Sequence, residues 1–235
     1  APPRATVAKL PARPQIDGDP REWKAVAELP LERRGSPERG SARLAYDDRN
    51  LYVLFDVRDA SPWRNEGKDP TRLFKTGDAV DVQLCVDPSL SKEPARRDVA
   101  AGDVRVVIAN VGGKPAAVLM RPVDPAAGED KKVHYHSPVI DKTFDRVEVL
   151  ASAELAVRAE GQRYVVEAAI PLEALGLKPA AGMVLRGDVG FISSDADGRI
   201  NTARTYWANK ATNLVNDLPH EAWLWPHAWG EWVFE

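Results

Sequence analysis

Short segments in which apolar and polar residues alternate recur along this chain of 235 residues, and they constrain its fold more than any other feature. The clearest pair comprises residues 42–46 and residues 51–57, which four polar, turn-forming residues connect. A period of two places alternate side chains on one face of an extended strand. The pattern therefore predicts a β-hairpin over residues 42–57.

The remaining strand predictions follow the same pattern, and only two short helical patterns interrupt them. Strands are predicted near residues 79–86, 103–110, 115–121, 147–157, 163–170, 183–193 and 230–234. Helices are predicted for residues 20–26 and 172–175, whereas residues 59–77 and 122–138 form long polar loops. Many short strands without a βαβ rhythm are typical of all-β proteins. We predict a single antiparallel β-sandwich with long loops and one or two short helices.

The first 15 residues differ in composition from the rest of the chain. They contain four prolines, which favours an extended leader or edge segment over a helix. In the next segment Asp19 can cap free backbone N–H groups, and Pro20 suits the first helical position. No internal repeat and no domain-splitting linker interrupts the sequence after this segment. We therefore predict an extended segment over residues 1–15 and one β-sandwich domain over residues 16–235.

Net charge and cysteine content narrow the classes of partner. The net charge is −3 and the isoelectric point is near 5.9, which argues against nucleic acid as a partner. Cys85 is the single cysteine, which excludes an intramolecular disulfide and favours a buried thiol. No apolar stretch approaches the ~20 residues needed to cross a bilayer. The chain opens on Ala1, as a chain with a cleaved export signal would.

Motifs that carry covalent chemistry are missing from the sequence. It has no G-x-S-x-G elbow, no phosphate-cradling glycine loop and no H-E-x-x-H zinc motif. Acidic residues are plentiful, but none has neighbours that indicate the apolar setting needed for acid catalysis. Glu167, between Val166 and Ala168, is expected on the solvated face of its strand. These observations predict a binding protein and not an enzyme.

Four sequence motifs in a fixed order carry a resemblance to a known family. They are Ile16-Asp17-Gly18 with Trp23 close behind, residues 50–53 (NLYV), residues 77–82 (GDAVDV) and residues 164–171 (YVVEAAIP). In this order and spacing they resemble the family 9 carbohydrate-binding modules and the related cytochrome-like domains of the same β-sandwich superfamily. The resemblance runs from about Ile16 to the C-terminus and implies a fold that binds ligands.

The resemblance assigns part of a sugar site to particular residues. The family's D-x-V-E strand is matched by residues 78–81 (DAVD), which implies that Asp81 accepts hydrogen bonds from sugar hydroxyls. An arginine on the following strand contacts sugar in the family, and Arg105 occupies that place. Phe74 stands where the family has its first stacking tryptophan. No aromatic residue occupies the place of the second, near residues 214–215.

Further ligand-binding residues are expected to lie near that strand in the fold. Sugar recognition requires flat apolar surfaces together with groups that form hydrogen bonds to hydroxyls. Trp63 or Trp207 is expected to supply such a surface, although each also suits a position in the core, and Trp225 is a further candidate. The predicted ligand-binding residues are Trp63, Phe74, Asp78, Asp81, Arg105, Trp207, Asn209 and Asn213.

A cation site is indicated by residues 195–198, which have the sequence DADG. The D-x-D-G pattern wraps oxygen ligands around calcium, but it is also an ordinary hairpin turn. The resemblance favours calcium, because members of the family carry it as a structural ion. Asp195 and Asp197 are therefore predicted calcium ligands, and Asp17 with Asp19 forms a second candidate site.

Haem is the alternative cofactor, because relatives within the superfamily hold a b-type haem between a methionine and a histidine or lysine. The axial ligands available in this chain are Met120, Met183, His134, His136 and Lys210. No C-x-x-C-H motif is present, which excludes covalent attachment of haem. His134 and His136 also share a strand face, so a transition-metal pair and simple solvent exposure both remain open for them.

The sequence as a whole predicts a non-catalytic domain that binds an oligosaccharide or polysaccharide, with calcium holding a loop. We expect a secreted or periplasmic protein that is monomeric or part of a larger protein, in which it is an accessory module. No nucleic-acid partner and no membrane span are expected. Two alternatives remain open, namely a b-type haem electron-transfer domain and a protein-interaction module whose sugar site has been lost.

Overall fold

The computed structural model of the chain describes residues 1–212 and 215–235 and consists mainly of β-strands. The strands are β1 (Arg4–Lys9), β2 (Leu29–Glu32), β3 (Arg39–Tyr46), β4 (Asn50–Arg58), β5 (Ala79–Cys85), β6 (Asp103–Val111), β7 (Lys114–Arg121), β8 (Val133–His136), β9 (Asp141–Phe144), β10 (Arg146–Val149), β11 (Glu154–Glu160), β12 (Arg163–Pro171), β13 (Val184–Ser194), β14 (Asn201–Tyr206) and β15 (Gly230–Phe234). The helices are α1 (Leu73–Thr76), α2 (Leu172–Leu175) and α3 (Leu218–Ala222). Single 3-10 turns lie at Pro20–Trp23, Pro70–Arg72, Leu90–Lys92, Glu129–Lys131 and Pro226–Ala228.

Thirteen of these strands form one large curled sheet. Its order is β10-β7-β6-β5-β13-β15-β1-β3-β4-β12-β11, with β14 beside β13 and β2 beside β3. The half that contains β5, β6, β13 and β14 is called the first sheet below, and the half that contains β3, β4 and β12 is called the second sheet. The separate hairpin of β8 and β9 lies outside this path. This architecture confirms the predicted all-β sandwich with few, short helices.

Strand β1 differs from the predicted leader or edge segment. Its residues Arg4–Val7 pair in parallel with β15, and its residues Ala8 and Lys9 pair in parallel with β3. The strand therefore lies inside the curled sheet and connects its two halves. The prolines that suggested a leader flank the strand, where their missing N–H donors do not interrupt the hydrogen-bond ladder.

The sandwich core lies between the two sheets. Val53 and Phe55 of β4 are fully buried in one cluster with Val82 of β5 and Val106 of β6. The period-2 alternation of these strands turns their apolar side chains toward the opposite sheet. Burial of each such side chain stabilises the fold by about 1.5–3 kcal/mol.

The local predictions of hairpins, strands and helices are confirmed in type but not always in length. The hairpin over residues 42–57 forms as predicted, and the Asp47 carboxylate closes its turn by accepting the backbone N–H groups of Arg49 and Asn50. The strand predicted over residues 147–157 is divided into β10 and β11 by a turn. The helix predicted over residues 20–26 is a single 3-10 turn. None of the described helices is both long and apolar enough to cross a bilayer.

The prediction that the Glu167 side chain is solvated is wrong. Its side chain is fully buried on the outer face of the second sheet, where residues 16–23 cover it. The carboxylate accepts the backbone N–H groups of Asp17 and Gly18 and the indole N–H of Trp23. Burial raises the pKa of Glu167. The outer face of a strand is thus solvated only where no other segment packs on it.

Candidate functional site

The face of the first sheet that is turned away from the sandwich core carries a buried polar network. Asp81 of β5 and Arg105 of β6 form a two-point ion pair, with Nε–Oδ1 at 3.1 Å and Nη2–Oδ2 at 2.6 Å. The guanidinium of Arg105 also lies 5.0 Å from the centre of the Phe74 ring. All three side chains are buried. The fold therefore brings together three of the predicted ligand-binding residues.

The C-terminal tail separates this network from solvent. Nη1 of Arg105 donates to the backbone carbonyls of Glu221 at 2.6 Å and Ala222 at 2.9 Å, at the end of α3. The indole N–H of Trp229 donates to Oε1 of Gln83 at 3.1 Å. Asp81 and Arg105 therefore expose no surface to a ligand in this structure, and their hydrogen bonds hold the tail on the sheet.

Tyr206 of β14 reaches the Asp81 carboxylate across an intervening strand. Its hydroxyl donates to Oδ2 of Asp81, and its ring lies over Gly190 of β13. Gly190 pairs with Tyr206 on one side and with Asp81 on the other. A Cβ atom at Gly190 would lie 2.6 Å from Cδ1 of Tyr206. Glycine is therefore required here by the close approach of the ring.

Two adjoining cavities open beside this network, with volumes of about 630 Å³ and about 330 Å³. Arg204 and Asn209 line both of them, so the pair of cavities is called the Arg204 groove. The larger cavity is also lined by Glu32, Arg33, Arg34, Thr205, Tyr206 and Lys210, and the smaller by Arg97, Ala211, Thr212, His220, Trp225, His227 and Ala228. Tyr206 connects the groove to the buried ion pair, because it lines the larger cavity and its hydroxyl donates to Asp81.

Trp225 provides the aromatic surface of the groove. Its side chain is half-buried and stacks on the His220 ring, with ring centres 5.1 Å apart and an interplanar angle of 30°. The His227 ring meets it edge-on at 6.3 Å. Burial, and then the nearby charge of Arg97, lowers the pKa of His227. The smaller cavity therefore combines an indole with imidazole and guanidinium groups.

Asn209 is held at the groove by a buried carboxylate. Asp188 of β13 accepts the backbone N–H of Asn209 at 2.7 Å and that of Ala208 at 2.8 Å. A third bond comes from the N–H of Val189 at 2.9 Å. Burial raises the pKa of Asp188 to about 7. Asp188 therefore fixes the backbone that carries the Asn209 amide into the groove.

The two tryptophans that were predicted to offer an apolar surface to a sugar lie in the sandwich core and not at the groove. Trp63 has a left-handed φ of 57°, its indole N–H donates to Oδ1 of Asn110 at 2.8 Å, and its ring packs 5.2 Å from that of Tyr164. Trp207 is also buried in the sandwich core. Both occupy the core position that the sequence left open for them. Asn213 lies outside the described residues.

Asp78 belongs to a second buried polar cluster at the ends of the loop over residues 59–77. Asp59, Asp78, Tyr164 and Ser193 each place a buried side-chain oxygen there without a hydrogen-bond partner. Burial, and then the neighbouring Asp59, raises the pKa of Asp78 to about 7, and burial also raises the pKa of Asp59. Buried oxygens without partners are costly, and a group of four, two of them from carboxylates, suits a hard cation.

The predicted calcium ligands are used within their own turns. Asp195 accepts the backbone N–H groups of Arg199 at 2.8 Å and Ile200 at 3.2 Å. Asp19 caps the turn at Pro20–Trp23 and pairs with Arg21, while Oδ1 of Asp17 accepts the N–H of Asp19. Asp197 is exposed beside the first of these turns. These contacts are those of capped turns, and calcium at these residues stays a prediction.

One group of three metal-ligating side chains with ligand atoms within 4.8 Å occurs in the described part of the chain. It comprises His134, His136 and Asp141, all exposed on the hairpin of β8 and β9. Nδ1 of His136 lies 2.5 Å from Oδ1 of Asp141, and Nε2 of His134 lies 3.5 Å from the same atom. The transition-metal pair at these histidines remains a prediction.

The haem ligands do not fit a haem site. Met120 is buried in a packed cluster with Tyr135 and Phe144, and Met183 packs against the sandwich core. Neither methionine lines the Arg204 groove. Lys210 lines the Arg204 groove instead.

Three residues in or beside the groove are not among the ligand-binding residues predicted from the sequence. Arg204 and Tyr206 lie two positions apart in β14, so a period of two already places them on one face. Asp188 is a lone carboxylate inside an apolar strand, which is a signal for a buried acid with hydrogen-bond partners. Either pattern would have identified this face of the first sheet.

Comparisons with known proteins support the fold. No family model matches the sequence, and no curated protein matches it significantly. The chain is similar to a family 9 carbohydrate-binding module from Caldicellulosiruptor kristjanssonii in complex with glucose (TM-score 0.62, 19% identity, 99% of this chain and 96% of that chain covered). It is also similar to such a module from that organism in complex with cellotriose (TM-score 0.59, 18% identity, 99% and 94% covered). The chain therefore has the fold of these modules, which confirms the resemblance of the four sequence motifs at the level of the fold.

Proposed function

We propose that this chain is a non-catalytic carbohydrate-binding domain whose ligand surface is the Arg204 groove. The observation that carries the proposal is that Trp225, Asn209 and Arg204 line one cavity of about 330 Å³. An indole offers apolar surface to the C–H face of a sugar ring, and amide and guanidinium groups offer directed hydrogen bonds to hydroxyls. The fold shared with modules solved in complex with glucose and cellotriose supports the same function.

The proposal also covers the larger protein to which the domain belongs and the location of that protein. A domain that binds a polymeric sugar without cleaving it acts by holding a partner domain close to the polymer. We therefore propose an accessory module of a larger, secreted or periplasmic protein. Fractionation of the native cells, followed by detection of the full-length protein, tests this location.

Calorimetry with a panel of oligosaccharides tests the sugar site. Trp225→Ala is expected to weaken binding about tenfold, which corresponds to about 1.4 kcal/mol of binding free energy. The matched control is Trp223→Ala, because Trp223 is equally half-buried but packs 5.4 Å from the Phe144 ring and does not line the groove. Unchanged binding by the Trp225 variant would contradict the assignment of the groove.

The same samples separate the two alternative functions. A haem electron-transfer domain would show a Soret band after expression with haem supplied. A protein-interaction module would bind no sugar in the panel and would show no such band.

Calcium is proposed at a different place from the one expected from the sequence. We propose that it binds between Asp59 and Asp78, and the four buried oxygens without partners support this site. A hard cation takes oxygen ligands and relieves the repulsion of two close carboxylates. Because the two residues stand at opposite ends of the loop over residues 59–77, the ion would fix that loop to the sheet.

Thermal unfolding of metal-free protein with and without added calcium tests this site. A ligand at a hundredfold excess over its Kd stabilises the native state by about 2.7 kcal/mol, so a clear rise in Tm is expected. Asp78→Asn should abolish the rise, whereas Asp195→Asn should preserve it. The reverse pattern would return the ion to the turn at residues 195–198.

A further inference from the structure

The Arg204 groove concentrates positive charge in a chain whose net charge is −3. Its cationic lining residues are Arg33, Arg34, Arg97, Arg204 and Lys210, whereas Glu32 is its one carboxylate among the described residues. In the part of the chain that the structure describes, none of these five cations forms an ion pair with a carboxylate. The groove therefore holds five cations against one carboxylate, and no cation among them is in direct contact with a carboxylate of the described residues.

Arg204 is the most informative of these residues, because its side chain is buried at 3% exposure. Nη1 donates to Oγ1 of Thr212 at 2.8 Å, and Nη2 donates to the Tyr206 hydroxyl and the Glu221 carbonyl at 3.2 Å each. These partners are neutral, and Nε has none. A buried charge without an ionic partner is costly. Arg204 lines both cavities of the groove, which indicates that the missing ionic partner of its guanidinium is a bound anion.

The remaining charged residues near the larger cavity do not supply that anion. Nζ of Lys210 donates to the backbone carbonyls of Glu32 at 3.0 Å and Tyr206 at 2.7 Å, so it makes no ion pair with the Glu32 side chain. Asp188 lies behind Lys210, but it is fully buried and its oxygens already accept three backbone N–H groups. Arg33 adds a second buried Nε without a partner.

We propose that the groove selects an anionic sugar, with the acid group of the sugar bound by Arg204 and Arg33 and its ring near Asn209 and Trp225. This inference rests on the proposed carbohydrate-binding function. Arg204 retains two N–H donors, one at Nε and one at Nη1, and Arg33 adds its own Nε, so the two residues together can donate to both oxygens of a carboxylate or a sulfate. The ligand is therefore a polysaccharide unit that carries a carboxylate, as in uronic acids, or a sulfate ester.

Calorimetry with matched sugars tests the charge requirement. The probes are trimers of galacturonic, glucuronic and mannuronic acid, the methyl esters of these trimers, cellotriose, and a sulfated oligosaccharide of the same length. At least one acidic trimer or the sulfated sugar is expected to bind at least tenfold more tightly than its neutral counterpart. Added salt should weaken only the charged sugar, because screening acts on the ionic contact. Comparison of the carboxylated and sulfated probes identifies which acid group is preferred.

Two sets of variants connect the effect to the groove. The double variant Arg33→Ser with Arg34→Ser should lose about tenfold more affinity for the acidic sugar than for cellotriose, because both residues line the groove but only the acidic sugar pairs with their charge. Arg204→Lys, which retains a charge but loses the free Nε and Nη1 donors, should also weaken binding of the acidic sugar. The control is Arg39→Ser, because Arg39 is exposed on β3 and does not line the groove.

The possible outcomes separate this inference from the function on which it rests. Equal binding of acidic and neutral sugars would overturn the charge requirement and leave carbohydrate binding in place. Binding of no sugar at all would overturn both. Inorganic sulfate that binds as tightly as the charged sugar would also overturn the inference, because the groove would then hold a free anion.

Discussion

The carboxylate of Glu167 accepts the indole N–H of Trp23 at 2.8 Å, although the two residues are 144 positions apart in the chain. The same carboxylate accepts the backbone N–H groups of Asp17 at 3.0 Å and Gly18 at 2.8 Å. One buried acid on β12 therefore fixes the segment that connects β1 to β2. The first and last of the four sequence motifs form one structural unit.

Glu167→Ala should strongly destabilise the fold. The substitution leaves the buried N–H groups of Gly18 and Trp23 and the part-buried N–H of Asp17 without an acceptor, and each buried group costs about 1–3 kcal/mol. We expect the free energy of unfolding, measured with urea, to fall by about 3 kcal/mol or more. Glu173→Ala, at an exposed position of α2, is the matched control and should change it little. A small effect at Glu167 would mean that water replaces the lost acceptor.

Gly190→Ala should disturb the contact between Tyr206 and Asp81. The new Cβ would lie 2.6 Å from the Tyr206 ring and 2.5 Å from the carbonyl oxygen of Thr205, so the ring or the strand has to move. Overpacking of this kind costs about 1–3 kcal/mol, which urea unfolding measures. Gly128→Ala is the control, because its Cβ would meet only the end of the flexible Asp130 side chain. Equal stability of the two variants would contradict the close approach.

The stability contributed by Asp188 should decrease as the pH rises. Burial, with the neighbouring Asp81 carboxylate acting in the same direction, raises the pKa of Asp188 to about 7 from its ordinary value of 3.8. The folded state therefore holds this proton more tightly than the unfolded state, and the contribution present below pH 3.8 is lost as the pH rises through about 7.

Asp188→Asn is the reference for that measurement, because its side chain does not titrate. The free energy of unfolding of the unmodified protein, minus that of the variant, should be larger at about pH 5 than at about pH 8. The opposite trend would mean that the three backbone N–H donors stabilise the ionised carboxylate enough to outweigh burial.

Cys85 should be unreactive in the folded protein. The thiol is fully buried, and burial raises its pKa to about 12, so almost no thiolate is available near neutral pH. A thiol-specific chromogenic reagent should report no reaction until denaturant is added, and then one thiol per chain. Ser152→Cys, at an exposed position, should add one thiol that reacts before denaturation. Fast labelling of the native, unsubstituted chain would show that the region around β5 opens.

Strand positions were predictable because the alternation that defines a strand is a local property. The hairpin over residues 42–57 and the apolar strand that contains Val82 follow from residues that are neighbours in sequence. The cap at Asp19 is equally local. Strand β1 was not predictable in the same way, because its partners β15 and β3 lie far from it along the chain.

Exposure of the outer sheet faces was decided by tertiary structure alone. The sequence motifs around Asp81 and Arg105 predict an exposed binding pair. Arg105 instead donates to carbonyls 116 and 117 positions away, and the tail that carries these carbonyls covers the pair. Period-2 patterning shows which residues share a face, but not which segment later packs on that face.

The sequence by itself determined the strands, the sandwich core and the resemblance to family 9 carbohydrate-binding modules, because alternation and short motifs depend on neighbouring residues. Only the tertiary structure decided that Asn209 and Trp225 line an open groove together with the buried Arg204. Burial is set by segments that meet in space, and the tail that covers Arg105 leaves the adjoining groove open beside it.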